Sequence, residues 1–316
     1  MARLPSHGRS TVARLRVGGG TVVAKRAADP AALANEVEAL RLLPPALRPA
    51  LVAAGGGVVV TEDLGPGPSL ADLLLGDDRA AAERGVHAWA GGLGRLLAAT
   101  LRPGAPPEPV AFGSGPAELA ALAGDLGVAV PPGVDDDVAR LASTLSAPSP
   151  WLAFGPGDTC PDNNRVAVDS VRFFDFEGAG WRHAALEAAY GRAPFCTCWC
   201  VAALPPATLA SMEAELLAAL DPPSPEAFSA TIGPAAVSFT VLTAGAFRRF
   251  VVAGAPVGPA GRTPCDGRQY VVARLRAVEA EADRLPALAA LAARLREAIV
   301  ARWPSAAALP AYPAFR

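Results

Sequence analysis

Residues 10–26 read as strand, turn and strand, the first alternating between apolar and polar positions. STVARLRV alternates as one strand, the glycines Gly18 to Gly20 supply the positive φ of a tight turn, and TVVAK continues as a second strand. The period then changes. In DPAALANEVEALRLL, Leu33, Val37, Leu40 and Leu43 recur on one helical face, Asp29 stands as N-cap with Pro30 at the first helical position, and Pro44-Pro45 ends the helix. ALVAAGGGVVVTEDLG predicts two more short strands about a glycine turn, and its apolar run stops at Thr61-Glu62-Asp63. GPGPSLADLL then predicts a rigid connection and a helix start, with Ser69 and Asp72 spaced like a capping box. Residues 1–62 therefore read as a small antiparallel sheet with one helix.

From residue 63 to residue 316 the pattern is mostly helical. An Ala/Leu-rich helix is expected over 79–101, a Pro/Gly-rich loop over 102–116 and two short helices over 117–147, with Asp135 to Asp137 at a helix start, where carboxylates suit the dipole. RVAVDSVRFFDF interrupts the helical period as a hairpin around Asp169-Ser170, and helices resume beyond residue 184. Phe228 to Phe247 carries no charge and is long enough to suggest a membrane span. Its Gly233, Pro234, Gly245 and small apolar residues fit a buried helix pair better. The class that results is α+β.

Composition narrows the field. Of 316 residues, 52% are hydrophobic and 18% charged, enough for a sizeable core. The formal net charge is −2 and the basic residues are scattered, so no nucleic-acid partner is expected. MARLPSHGRS has no apolar signal region; with no membrane partner expected, this points to the cytoplasm. Five cysteines include three in CTCWC (Cys196, Cys198, Cys200), a closer spacing than the usual C-x2-C of zinc sites. On a helix they would point to different sides, and they read as small core residues in a reducing compartment. His7, His87 and His183 show no partner pattern, and Trp181 and Trp199 read first as packing residues. The cations are 27 arginines and a single lysine, Lys25.

That lysine acquires a meaning beside GPGDTCPDNNRVAVDSVRFFDFEG. Asp158 precedes Asn163 by five residues, a hairpin follows, and Asp175 comes twelve residues after Asn163. Read singly, Asp158 and Asn163 are ordinary turn residues. Together the three fit phosphoryl transfer, which needs one carboxylate at the acceptor hydroxyl, and an amide and a second carboxylate at the metal that bridges the phosphates. Lys25 ends a strand and Glu36 lies on the next helix, where a compact ammonium held by a carboxylate would neutralise phosphates better than an arginine fork. Glu38 competes with Glu36 for that role, and Glu177 could face a substrate or cap a turn.

On these residues the chain resembles the aminoglycoside phosphotransferase-like branch of the protein-kinase-like superfamily. The family's H-G-D-x-x-P-x-N segment corresponds to PGDTCPDN, its D-F/W-E to DFEG, and its hinge to VVVTEDLGPGPSLADLL, over residues 10–190 in order. The resemblance implies a two-lobed kinase-like fold, with an N-lobe over 1–62 and a mostly helical C-lobe over 63–316. It implies an ATP- and Mg²⁺-dependent phosphotransferase acting on the hydroxyl of a small molecule, an antibiotic or a metabolite. Asp158 would be the catalytic base, Asn163 and Asp175 would bind Mg²⁺, Lys25 would bind phosphate and Glu36 would pair with it. Backbone groups near Glu62 and Leu64 would meet the adenine, and the segment 6–11, including Ser10, would cover the nucleotide. Two departures stand out: Pro156 replaces the family's positioning His, and Glu187 replaces an Asp that supports the catalytic loop. Pro156 motivates the alternative of a catalytically impaired nucleotide-binding pseudokinase. Ten acidic residues against thirteen arginines from residue 180 onward favour a neutral or weakly cationic acceptor over a polycation. The sequence leaves the oligomeric state open.

Overall fold

The computed structural model describes residues 2–4, 10–105, 107–168, 170–259 and 262–316. Strands β1 (Ala2–Leu4), β2 (Ser10–Val17) and β3 (Gly20–Ala27) run antiparallel, and Gly18 and Gly19 turn the chain between the last two with φ of 54° and 88°. Helix α1 (Pro30–Leu42) follows, its N-terminus capped by the Asp29 carboxylate accepting from the Ala31 N–H at 2.9 Å. Leu40 and Leu43 are buried, while Leu33 and Val37 pack partly exposed against the core. Strands β4 (Leu51–Gly55) and β5 (Val58–Glu62) complete a five-stranded sheet in the order β1-β2-β3-β5-β4. β3 thus lies in the middle, and Lys25 is flanked by Val12 on β2 and Val59 on β5.

The chain leaves the sheet through Asp63 and Leu64 and enters α2 (Leu70–Leu75), where Ser69 and Asp72 form the expected capping box. Helix α3 (Arg79–Ala98) is the spine of the helical part. Its Gly92 has no room for a side chain, since a Cβ would stand 2.2 Å from Val171. Helices α4 (Gly115–Leu126) and α5 (Val134–Ser146) come next. Asp137 in the first turn of α5 is buried and also accepts from the Ala287 and Leu288 N–H groups at 2.8 and 2.9 Å, so it caps a second helix from outside.

Two short two-stranded sheets then carry the loops of interest. β6 (Leu152–Gly155) pairs with β9 (Gly180–His183), and β7 (Asn164–Ala167) pairs with β8 (Ser170–Phe173), the hairpin expected from the sequence. The β6/β9 pair was not anticipated. LAFG is buried on both faces, so it lacks the alternation that marks a half-buried strand. The rest is α6 (Ala185–Ala188), α7 (Pro206–Leu220), α8 (Pro225–Leu242), α9 (Phe247–Val251), α10 (Gly267–Glu279) and α11 (Pro286–Arg302). Among the described residues no single helix is long and apolar enough to cross a membrane; α8 with the turn and α9 passes on length and composition only as a pair bent by 41°. Phe228, Val237, Phe247 and Val251 of that pair are buried inside the protein.

The CTCWC segment corrects the sequence reading. Residues 191–200 are turns and bends rather than helix, with Phe195 in the left-handed region at φ 48°. Gly191 and Pro194 keep the helical period from continuing. All five cysteines are buried and unpaired, as core residues would be, but Cys198 and Cys200 turn their sulfur atoms toward each other, 3.1 Å apart, instead of to different sides.

Candidate functional site

Lys25 is 8% exposed in the middle of the sheet. Its Nζ lies 3.0 Å from Glu36 Oε2 on α1, 3.2 Å from Glu177 Oε2, and in direct contact with Asp175 Oδ1. Burial works against the charge on Lys25, but Glu36 and Asp175 outweigh it and raise its pKa. Burial raises the pKa of Glu36 as well, with Lys25 opposing. Glu38 is exposed, so of the two candidate glutamates the helix turns Glu36 inward.

Asp175 follows the β7/β8 hairpin and adopts φ 67°, a left-handed conformation unusual for a residue with a side chain. Around it Asn35 Nδ2 donates to the Glu177 carbonyl at 3.2 Å, fastening α1 to the same turn. The hairpin is also tied to the sheet. Arg172 on β8 donates to both carboxylate oxygens of Glu62 at 2.8 and 2.6 Å and to the Arg48 carbonyl, and these hydrogen bonds lower the pKa of Glu62. The side chain of Glu62 therefore links the sheet to the hairpin, and its place at the end of β5, with half-buried Leu64 just beyond, puts their backbone at the connection between the lobes.

Asp158 lies in the loop after β6. Gly157 beside it has φ 82°, and a Cβ there would stand 1.9 Å from the Gly178 carbonyl oxygen, so only glycine allows the loop to approach the turn that follows Asp175. The Gly157 N–H donates to Glu187 Oε1 at 2.9 Å. Glu187 is 2% exposed; burial raises its pKa while Arg182 and the Gly157 N–H oppose the rise. The longer arm at this position thus still reaches the loop, and Pro156 is accommodated in a buried position. Tyr190 and Thr197 donate their hydroxyls to Asp158 Oδ1 at 2.7 and 2.6 Å. Burial pushes the Tyr190 phenol far up, which keeps it a donor.

Asn163 joins the two groups of residues. Its Nδ2 donates to the Asp158 carbonyl at 3.1 Å, and its own carbonyl accepts from the Phe174 N–H at 3.0 Å, one residue before Asp175. The neighbouring Asn164, fully buried, accepts from the Leu70 N–H at 2.9 Å and donates to the Cys160 and Pro161 carbonyls, locking the loop to α2. Lys25, Glu36, Asp175, Asn163 and Asp158 thus form one connected set. Ser10 stands apart from it, opposite Ala27 at the start of β2; residues 6–9 of the expected nucleotide-covering segment lie outside the described residues. His7 lies outside them too. His183 is a core histidine stacked on Phe228, and burial lowers its pKa to about 4. His87 is exposed beside Ser211. Trp181 packs on Phe154 and Arg102.

Sequence reasoning did not find Tyr190, Thr197 or Asn164. Thr197 is the one polar residue inside CTCWC, a signal that the cysteines obscured.

No family model matches the chain, and no curated protein matches it. Solved structures do. A choline/ethanolamine kinase family protein from Mesorhizobium loti matches with a TM-score of 0.53 at 17% identity, covering 93% of this chain and 92% of that one. The chain has a kinase-like fold. An amicoumacin kinase in complex with AMP-PNP and Ca²⁺ shares this kinase-like fold with a TM-score of 0.57 at 12% identity, over 95% of this chain and 87% of that one. An aminoglycoside phosphotransferase in a ternary complex with AMP-PNP and hygromycin B shares it with a TM-score of 0.50 at 10% identity, over 94% and 92%. The two-lobed kinase-like architecture read from the sequence is therefore the architecture of this chain.

Proposed function

We propose that the protein is an ATP- and Mg²⁺-dependent phosphotransferase that phosphorylates a hydroxyl of a small molecule. The observation that carries this reading is the connected set itself: a buried lysine paired with Glu36 and Asp175, and bonded through Phe174 and Asn163 to the loop of Asp158. The kinase-like fold and the small-molecule kinases that share it support it.

The donor set suits a magnesium ion. Asp175 offers a carboxylate, and because Asn163 uses its amide nitrogen on the Asp158 carbonyl, its amide oxygen is left to a hard cation. A Mg²⁺ held by these two oxygens would neutralise charge on the nucleotide phosphates. Lys25 would hold the phosphates, with Glu36 fixing the ammonium. Asp158, oriented by Tyr190 and Thr197, would align the acceptor hydroxyl and take its proton as the new O–P bond forms and the bond from the γ-phosphorus to the ADP oxygen breaks, releasing ADP. Backbone groups near Glu62 and Leu64 would meet the adenine, and Ser10, as part of the segment 6–11, would help to cover the nucleotide.

The test is ADP release with a panel of hydroxylated metabolites and antibiotics. The wild type should turn over with at least one neutral or weakly cationic acceptor, and Asp158→Ala should lower kcat by about 10²–10⁴-fold without weakening nucleotide binding. Full activity in Asp158→Ala would refute the role of Asp158. Metal-dependent nucleotide binding with no transfer to any acceptor would instead mark the pseudokinase that Pro156 suggests.

A further inference from the structure

The loop between Asp158 and Asn163 carries two residues that phosphoryl transfer does not use, Cys160 and Asp162. The CTCWC segment faces them. Cys160 Sγ, an Asp162 carboxylate oxygen and Cys198 Sγ all lie within 4.8 Å of one another. Cys198 Sγ is 3.6 Å from Asp162 Oδ1, and Cys200 Sγ is 3.1 Å from Cys198 Sγ. The three cysteines are 5%, 3% and 0% exposed. The other carboxylate oxygen of Asp162 accepts from the Trp199 indole N–H at 2.7 Å, which fixes the carboxylate with Oδ1 toward the sulfur atoms.

Plain packing explains Cys196 and Cys265, which lie outside this set. It does not explain Asp162. Among the described residues no Lys or Arg is within ion-pair distance of it, Arg262 stacking instead on the Trp199 ring, so a half-buried carboxylate faces a group of thiols.

We propose that Cys160, Asp162 and Cys198, with Cys200 turning in as the fourth ligand, bind a zinc-class divalent cation. With Zn–S near 2.3 Å and Zn–O near 2.0–2.2 Å, tetrahedral ligand atoms stand about 3.6–3.8 Å apart. The 3.6 Å between Cys198 and Asp162 has this size, whereas Cys200 Sγ, 3.1 Å from Cys198 Sγ, would have to swing to a wider spacing to join them. The indole N–H on Asp162 is the outer hydrogen bond that typically orients a ligating carboxylate. Thiolates select a soft or borderline metal, whereas the oxygens of Asn163 and Asp175 suit a hard one, so two neighbouring sites sort their ions by chemistry. The ion ties the loop of Asp158 to residues 196–200, whose Thr197 donates to Asp158. None of this depends on phosphoryl transfer, and the site stands or falls on metal binding alone.

The test uses the full chain without a metal-binding tag, incubated with Zn²⁺ and then dialysed against metal-free buffer. Elemental analysis should find about one zinc per chain, and Co²⁺ in its place should give thiolate-to-cobalt charge-transfer absorption. Cys198→Ser should lose the zinc, Asp162→Asn should bind it about tenfold or more weakly, and Cys265→Ser should keep it. Folded wild type that retains far less than one zinc per chain overturns the proposal. So does wild type that binds no zinc and has lost the mass of two hydrogens, because its sulfur atoms are then joined as a disulfide. Both readings use wild-type protein, so a variant that fails to fold does not blunt them.

Discussion

Lys25 and Asp158 belong to two regions that hold charge in opposite ways. Around Lys25 the chain answers charge with charge: Glu36, Asp175 and Glu177 converge on one ammonium from a helix and a turn. Around Asp158 it answers charge with neutral donors, the hydroxyls of Tyr190 and Thr197, while Gly157 is held from behind by Glu187. A carboxylate that takes up a proton must not be pinned by a cation, whereas a lysine meant for phosphate must be charged and in place before the nucleotide arrives. On the proposed roles, the difference between the regions is that between a group meant to meet the acceptor hydroxyl and one meant to hold phosphate.

The contrast can be broken first at the ionic region. Lys25→Met removes one side of a buried ion pair and leaves Glu36 buried without a counter-charge, and it should cost about 3–5 kcal/mol in chemical denaturation. Adding Glu36→Gln should restore much of that loss. A double variant no more stable than Lys25→Met would show that the carboxylate is not what the lysine balances.

A buried group without any counter-charge gives the next effect. Burial lowers the His183 pKa from 6.5 to about 4, so between these values the unfolded chain binds the extra proton and the folded chain does not. Stability should therefore fall as pH drops from about 6.5 to about 4, by up to roughly 3 kcal/mol, and be untouched above pH 7. His183→Gln should flatten this slope in melting temperatures taken across that range.

The smallest effect should come from the link between the lobes. Arg172→Ala removes the paired bonds to Glu62 and those to the Arg48 carbonyl on a partly exposed surface. A loss of about 1 kcal/mol is expected in urea unfolding, shrinking at high salt.

The ionic region was legible in the sequence and the neutral one largely was not. One lysine among arginines stands out, and Glu36, Asn163 and Asp175 are polar residues at spacings that strand, helix and hairpin periods can place. Tyr190 and Thr197 reach Asp158 from a turn-rich stretch where no period says which way a side chain points. The same stretch hid the convergence of Cys198 and Cys200, because apolar neighbours made a helix the default reading. β2 alternates, and glycine turns separate β2 from β3 and β4 from β5, so these N-lobe strands could be marked off in the sequence. β6 is too short and too buried for that signal, although it is the strand that delivers Asp158.

The most direct test of the account is calorimetric titration of ATP into the wild type and Asp175→Asn, each with and without Mg²⁺. The account predicts that Mg²⁺ tightens binding to the wild type and that Asp175→Asn loses about tenfold or more of that gain. Equal affinity in the variant, or wild-type binding indifferent to Mg²⁺, would contradict it.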